Sequence, residues 1–191
     1  MQLLVICGTN RLNSNTHKAA TWVEAFVRGR GHAVDFVDFH AFPLPWVGQE
    51  APSPADRATT DCDQVKAWSE RVQRAEAVII VAPEYNHGYP GVLKNALDLI
   101  YAELNYKPVL VCGVSAGSLG GARMVEQLRL VLIEFRAVPI REAVYFRGSG
   151  NLFDADGKLT DLAYEKALDK ALAELIFLAK PLASARAERE S

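Results

Sequence analysis

Short runs rich in apolar and β-branched residues recur along the chain, each followed by a longer segment with the three-to-four-residue spacing of a helix. The runs are Leu3–Cys7, Val34–Asp38, Ala77–Ala82, Val109–Val114 and Ala143–Phe146, and the central ones are apolar on both faces. Such strands must be covered on both sides. The covering segments extend from about Asn15 to Arg30, Asp61 to Ala75, Val92 to Leu104, Gly121 to Phe135 and Thr160 to Ala183. Within the second, Val65, Trp68 and Val72 stand at i, i+3 and i+7, the spacing of a buried stripe. The alternation predicts an α/β fold of βαβ units around a parallel sheet.

With 191 residues the chain suits one core, and nothing in it reads as a linker or repeat. Residues 1–183 are expected to form a single domain, and the charged tail 184–191 to fray. Half of the residues are hydrophobic and 23% are charged, which excludes a disordered chain. The formal charge of −2 offers no cationic footprint for nucleic acid or an anionic membrane. No apolar run approaches the ~20 residues of a membrane span. No secretory leader is read at the start, and Cys7, Cys62 and Cys112 are too scattered for a disulfide framework or a zinc site, so a cytoplasmic protein is expected. The stretch Phe39–Pro54, with Pro43, Pro45, Pro52 and Pro54 among Phe42, Trp46 and Val47, is longer than an ordinary strand-to-helix loop.

In an open parallel sheet, ligands bind beyond the carboxyl ends of the strands. The first such junction, Gly8 to Thr16, offers the hydroxyls of Thr9, Ser14 and Thr16, the amides of Asn10, Asn13 and Asn15, and the cation Arg11. Hydroxyls, free N–H groups at a helix start and a guanidinium suit a phosphate monoester. Capping of the helix by Ser14 or Asn15 accounts for one polar residue of this set. No Gly-Lys-Ser/Thr ending and no second glycine follow Gly8, so neither a nucleotide P-loop nor a dinucleotide fingerprint is present.

The second junction, Pro83 to Asp98, carries Tyr85, Asn86, His87 and Tyr89 among turn-forming Pro and Gly, a wall suited to a flat heterocycle. The third, Gly113 to Arg129, reads two ways. Gly113, Ser115 and Gly117 spell the G-x-S-x-G nucleophile elbow of serine hydrolases, yet His17, His32, His40 and His87 all precede the serine where that fold places its histidine afterwards. The alternative is a glycine loop whose backbone approaches the edge of a bound ring. The segment Asp154–Lys158 imitates the start of a calcium loop, but Lys158 stands at a ligand position and the segment reads as a turn. The cysteines read as core residues beside strands, and the position of Cys7 close to the first turn is only a weak sign of reactivity.

Taken together the junctions resemble the NADPH-dependent FMN reductase family, which includes quinone, chromate and azo-dye reductases. The resemblance rests on G-[ST]-x-R-x-x-S at Gly8, Thr9, Arg11 and Ser14, on P-E-Y-N with G-x-P-G-x-L-K-N-A-x-D at Pro83–Asp98, and on S-x-G-x-x-G-G at Ser115–Gly121. Thr9 stands where the family more often shows serine. The resemblance implies a flavodoxin-like three-layer sandwich with a five-stranded parallel sheet of order 2-1-3-4-5. It implies FMN as cofactor, with NADPH or NADH as co-substrate, and electrons passed in ping-pong turnover to quinones, free flavin or other small oxidised acceptors. No side chain is catalytic in this reading, since the flavin carries the chemistry. Thr9, Arg11, Ser14, Asn15 and Thr16 would hold the phosphate. Pro83, Glu84, Tyr85 and Asn86 would line the ring and ribityl chain, and Ser115 and Gly117 the ring's other edge. Backbone N–H groups of the Pro83–Asn86 and Ser115–Gly117 loops would stabilise the reduced ring. The resemblance also implies a homodimer or homotetramer, with Phe42–Val47 and the helix after Lys94 as contact candidates. A flavodoxin-type electron carrier and a hydrolase using Ser115 are the alternative readings.

Overall fold

Successive side chains on a strand point to opposite faces, so strands apolar on both faces can serve two helical layers at once. The computed structural model describes residues 1–48, 62–154 and 158–190. In it β1 (Gln2–Cys7), β2 (Ala33–Asp38), β3 (Ala77–Pro83), β4 (Pro108–Val114) and β5 (Val138–Phe146) form one parallel sheet of order β2-β1-β3-β4-β5. The helices are α1 (Asn15–Gly29), α2 (Asp63–Arg74), α3 (Gly91–Asp98), α4 (Ala122–Glu134) and α5 (Ala163–Glu190).

Leu4, Ile6, Val78, Ile80, Val109 and Val111 face α2, α3 and α4, packing against Trp68, Leu93, Met124 and Leu128. The alternate residues Leu3, Val5, Ile79, Val81, Leu110 and Cys112 face α1 and α5, against Val23, Val27, Leu168, Leu172 and Leu175. The result is the expected three-layer flavodoxin-like sandwich, with β3 at its centre buried throughout. Trp68 joins three elements: its indole N–H donates to Ala96 O at 2.8 Å, and its ring meets Phe39 edge-on at 5.8 Å.

The largest differences from the sequence expectation are at three boundaries. The helix expected to reach Leu104 ends at Asp98, and a single 3₁₀ turn, Ala102–Leu104, follows. There the nearly buried Glu103 accepts from the Tyr101 amide and from Ser69, fixing a turn against α2 in place of another helical one. β5 starts at Val138 instead of Ala143; it is an edge strand, where Pro139 and exposed Arg141 are tolerated and hide the strand pattern. The last helix, expected to end at Ala183, continues to Glu190. Arg186 donates to Tyr106 O at 2.7 Å and to Glu76 O at 3.4 Å, and the Arg189 guanidinium lies 5.0 Å over the Tyr106 ring.

Of the Pro-rich stretch, Phe39–Gly48 is described, and Pro52 and Pro54 lie outside the described residues, as does Asp61 at the expected start of α2. Asn95 of α3 fastens the described part, its side-chain N–H donating to Pro45 O and its oxygen accepting from the Val47 amide, both at 2.9 Å. Phe42, Leu44 and Val47 pack on the core, while Trp46 is 51% exposed. In the calcium-like segment, Ala155, Asp156 and Gly157 lie outside the described residues. At its ends the Lys158 N–H donates to Asp154 Oδ1 at 2.8 Å.

Candidate functional site

Every helix that follows a strand starts at the carboxyl edge of the sheet, where its first N–H groups are unpaired and carry partial positive charge. Chains usually answer that charge with an acidic residue in the first turn. α2 has Asp63 and α5 has Glu165, but α1, α3 and α4, which follow the neighbouring strands β1, β3 and β4, have none. The three junctions singled out in the sequence are thus the three acid-free helix starts.

At the first, Gly8 N–H donates to Val81 O at 2.8 Å, and a Cβ on Gly8 would stand 2.9 Å from the Ala82 Cβ, so β1 and β3 end in close contact. The chain then turns through Asn13 at φ 51° into Ser14, whose Oγ accepts from His17 N–H at 3.1 Å. Ser14 therefore does cap α1. Capping leaves much of the turn uncommitted. The Asn15 and Thr16 amides have no acceptor among the described residues, and the exposed Arg11 guanidinium has no hydrogen bond or ion pair there. Thr16 is buried, 3% exposed. Thr9 is 2% exposed, and its Oγ1 accepts from Arg11 N–H at 3.2 Å. His17 lies 3.3 Å from Asp38.

At the second junction Pro83 ends β3, buried, and the chain makes a two-residue hairpin. Tyr85 and Gly88 exchange main-chain bonds at 2.9 and 3.0 Å, with Asn86 and His87 between them at φ 50° and 70°. Glu84 turns away from this tip. Its amide donates to Val114 O at 3.0 Å, and its carboxylate, 8% exposed, accepts from Arg123 in the first turn of α4 at 3.0 Å while its second oxygen is buried without a partner among the described residues. Tyr85 is 41% exposed, and its hydroxyl lies 3.3 Å from Thr9 Oγ1, joining the first junction to the second.

At the third, Ser115 N–H donates to Phe146 O at 3.0 Å and its Oγ accepts from Gly117 N–H at 3.0 Å. The Ser115 and Gly117 carbonyls accept from Ser149 and Gly148, which zips this loop to the one after β5. No histidine bonds Ser115 among the described residues, so the elbow has no base. The glycines serve packing: a Cβ on Gly113 would stand 2.5 Å from Gly120 O, and one on Gly121 2.9 Å from the Gly113 Cα. Gly117 alone of the loop's glycines stands exposed.

Of the amides expected to face a ring, each of the two loops leaves one uncommitted among the described residues. The amides of Glu84, Tyr85, Ser115 and Gly117 are all engaged inside the protein, and Pro83 has none. Those of Asn86 and Ala116 have no acceptor among the described residues. The thiol of Cys7 is buried and, chiefly by that burial and secondarily by Asp38, pushed up to about 12, which makes it inert at neutral pH. Sequence reasoning missed Arg123 and Asn95, whose signal was the company they keep: Asn95 sits inside the Pro83–Asp98 motif, and Arg123 follows the Ser115–Gly121 motif by two residues.

A cavity of about 930 Å³ lies at the opposite edge of the sheet, lined by Tyr101, Tyr106, Lys107, Arg136 and Arg186 among others. Lys107 there donates to the Val72 and Gln73 carbonyls near the end of α2, and Arg186 to those of Tyr106 and Glu76. These cations hold element ends together, far from the acid-free helix starts.

Sheet order, the polar turn after β1 and the linked hairpin after β3 define a flavodoxin-like α/β protein whose polar turn and hairpin meet at the carboxyl edge of the sheet. The profile of the family described as NADPH-dependent FMN reductase matches residues 1–151, and this chain belongs to that family. It is similar to the NAD(P)H-dependent FMN reductase of Schizosaccharomyces pombe, 34% identical over 75% of this chain and 72% of that one. A quinone reductase of Pseudomonas putida is 32% identical over 82% and 83% of the two chains. Among solved structures, FerB of Paracoccus denitrificans, a flavoenzyme NAD(P)H:(acceptor) oxidoreductase, superposes with a TM-score of 0.76 at 26% identity, covering 94% of this chain and 97% of that one.

Proposed function

We propose that this chain is an NAD(P)H-dependent FMN-binding reductase that delivers electrons to quinones, free flavin or similar small oxidised acceptors. The observation that carries the reading is the acid-free start of α1 beside Arg11, joined through Thr9 and Tyr85 to the hairpin after β3. FMN has the matching pair of ends, a monophosphate and a flat ring. The donor set fits the phosphate, since the Arg11 guanidinium and the Asn15 and Thr16 amides have no acceptor among the described residues.

In this reading Arg11, the Ser14 hydroxyl and the Asn15 and Thr16 amides hold the phosphate, with Thr9 supporting Arg11 from below. Tyr85 and Asn86 border the ribityl chain and ring, and Pro83 and Glu84 keep that hairpin anchored to β4 and α4. Ser115 and Gly117 border the ring's other edge, where the Asn86 and Ala116 amides remain to donate. Bound FMN supplies two-electron chemistry between a pyridine nucleotide and the acceptor.

The test is steady-state NADPH and NADH oxidation with menadione as acceptor and FMN added. Parallel initial-velocity lines are expected; oxidation no faster than the protein-free blank defines an electron carrier and overturns the reading. The same reading makes the chain a homodimer or homotetramer in which exposed Trp46 and α3 meet a neighbour, checked by sedimentation. Three free cysteines suit a reducing cytoplasm, and no described helix is long and apolar enough to cross a membrane.

A further inference from the structure

The phosphate turn and the ring hairpin touch through two hydroxyls. Thr9 Oγ1 and Tyr85 Oη are 3.3 Å apart, and Thr9 Oγ1 also receives the Arg11 amide proton at 3.2 Å. A hydroxyl has one proton to give, so the contact runs in one of two directions. If Tyr85 donates, the Thr9 proton is left over on a residue 2% exposed, with no other acceptor among the described residues. If Thr9 donates, its buried hydroxyl is engaged both as acceptor and as donor, and the proton left over belongs to Tyr85, a residue 41% exposed. Leaving a donor unused in the interior costs more than leaving it in the open, which selects the second direction.

The bonds then run from Arg11 N–H to Thr9 Oγ1 and from the Thr9 hydroxyl to Tyr85 Oη, and the Tyr85 proton ends the chain at the mouth of the turn. Each bond polarises the next, which makes the terminal hydroxyl a better donor. We propose that Tyr85, although its backbone belongs to the ring hairpin, is a phosphate-binding residue whose hydroxyl donates to a phosphate oxygen of FMN and so distinguishes FMN from riboflavin. This rests on the FMN reading above. It assigns Thr9 a positioning role: a serine there preserves the relay, and a valine breaks it.

The test uses the full chain freed of co-purified flavin and titrated with FMN and with riboflavin, followed by flavin fluorescence. Tyr85→Phe is expected to weaken FMN about tenfold, the loss of one hydrogen bond to a charged oxygen, and riboflavin by less than about twofold. Thr9→Val gives the same selective loss, and Thr9→Ser keeps the wild-type FMN affinity. Equal losses for both flavins would place the tyrosine's action at the ring, and no loss for either would leave its hydroxyl idle; both outcomes overturn the proposal while the FMN reading stands. A wild-type chain that binds neither flavin, or binds riboflavin as tightly as FMN, removes the FMN reading and this proposal together.

Discussion

A hydroxyl's chemistry is set by what bonds it, and Ser115 is the instructive case. Its surrounding letters fit a nucleophile elbow, but its Oγ takes the Gly117 amide proton and closes a turn. Incubation with a fluorophosphonate is therefore expected to leave the mass of the protein unchanged; a stoichiometric adduct mapped to Ser115 would restore the hydrolase. The thiols lead to a second expectation. Burial pushes both Cys7 and Cys112 up to about 12 from an ordinary value of 9.0. Between those limits the unfolded chain loses thiol protons that the native chain keeps, so stability falls as pH rises, by up to about 1.4 kcal/mol per unit for each thiol. Urea midpoints from pH 8 to 10.5 should fall less steeply in Cys112→Ala, and an unchanged slope would contradict the account. Residue types at the site were legible in the sequence; their partners were not. Glu84 sits in a ligand-lining motif, yet its amide and one carboxylate oxygen serve β4 and α4, because hydrogen bonds between distant segments leave no local trace in the letters.

Among the elements, the loop after β4 depends on three glycines for its shape. Gly120 and Gly121 have φ of 60° and 88°, and the Gly113 Cα faces them with no room for a Cβ. Gly113→Ala should cost about 3 kcal/mol by overpacking, read from denaturation, and should loosen flavin binding as the loop shifts; wild-type stability would refute that packing. The end of α5 gives a further check, since Arg186 ties it to the segments before β3 and β4. Arg186→Ala is expected to cost about 2 kcal/mol in the same measurement, and no change would mean the end hangs free. All five strands and five helices were readable from periodicity, because burial on two faces writes a strong pattern. The boundaries that moved were those decided by tertiary contacts: Glu103 stopping α3, the sheet edge admitting Pro139, and Tyr106 holding the end of α5.

For the whole molecule, the sheet gathers the starts of α1, α3 and α4 at one edge, and the absence of acidic residues from just those first turns leaves their charge for an incoming anion. The Glu84–Arg123 pair and the Thr9–Tyr85 contact then join the three junctions into one surface. In the proposed reading that organisation would let a chain of net charge −2 hold a phosphate: the attraction would be local, from main-chain dipoles and one arginine, and would owe little to overall charge. Calorimetric titration of the full chain with FMN tests this most directly. One FMN per chain is predicted, with Arg11→Ala weakening it about ten- to hundredfold, in line with the loss of a guanidinium–phosphate contact. Titration without heat, or an Arg11→Ala chain that binds FMN as the wild type does, would contradict the account.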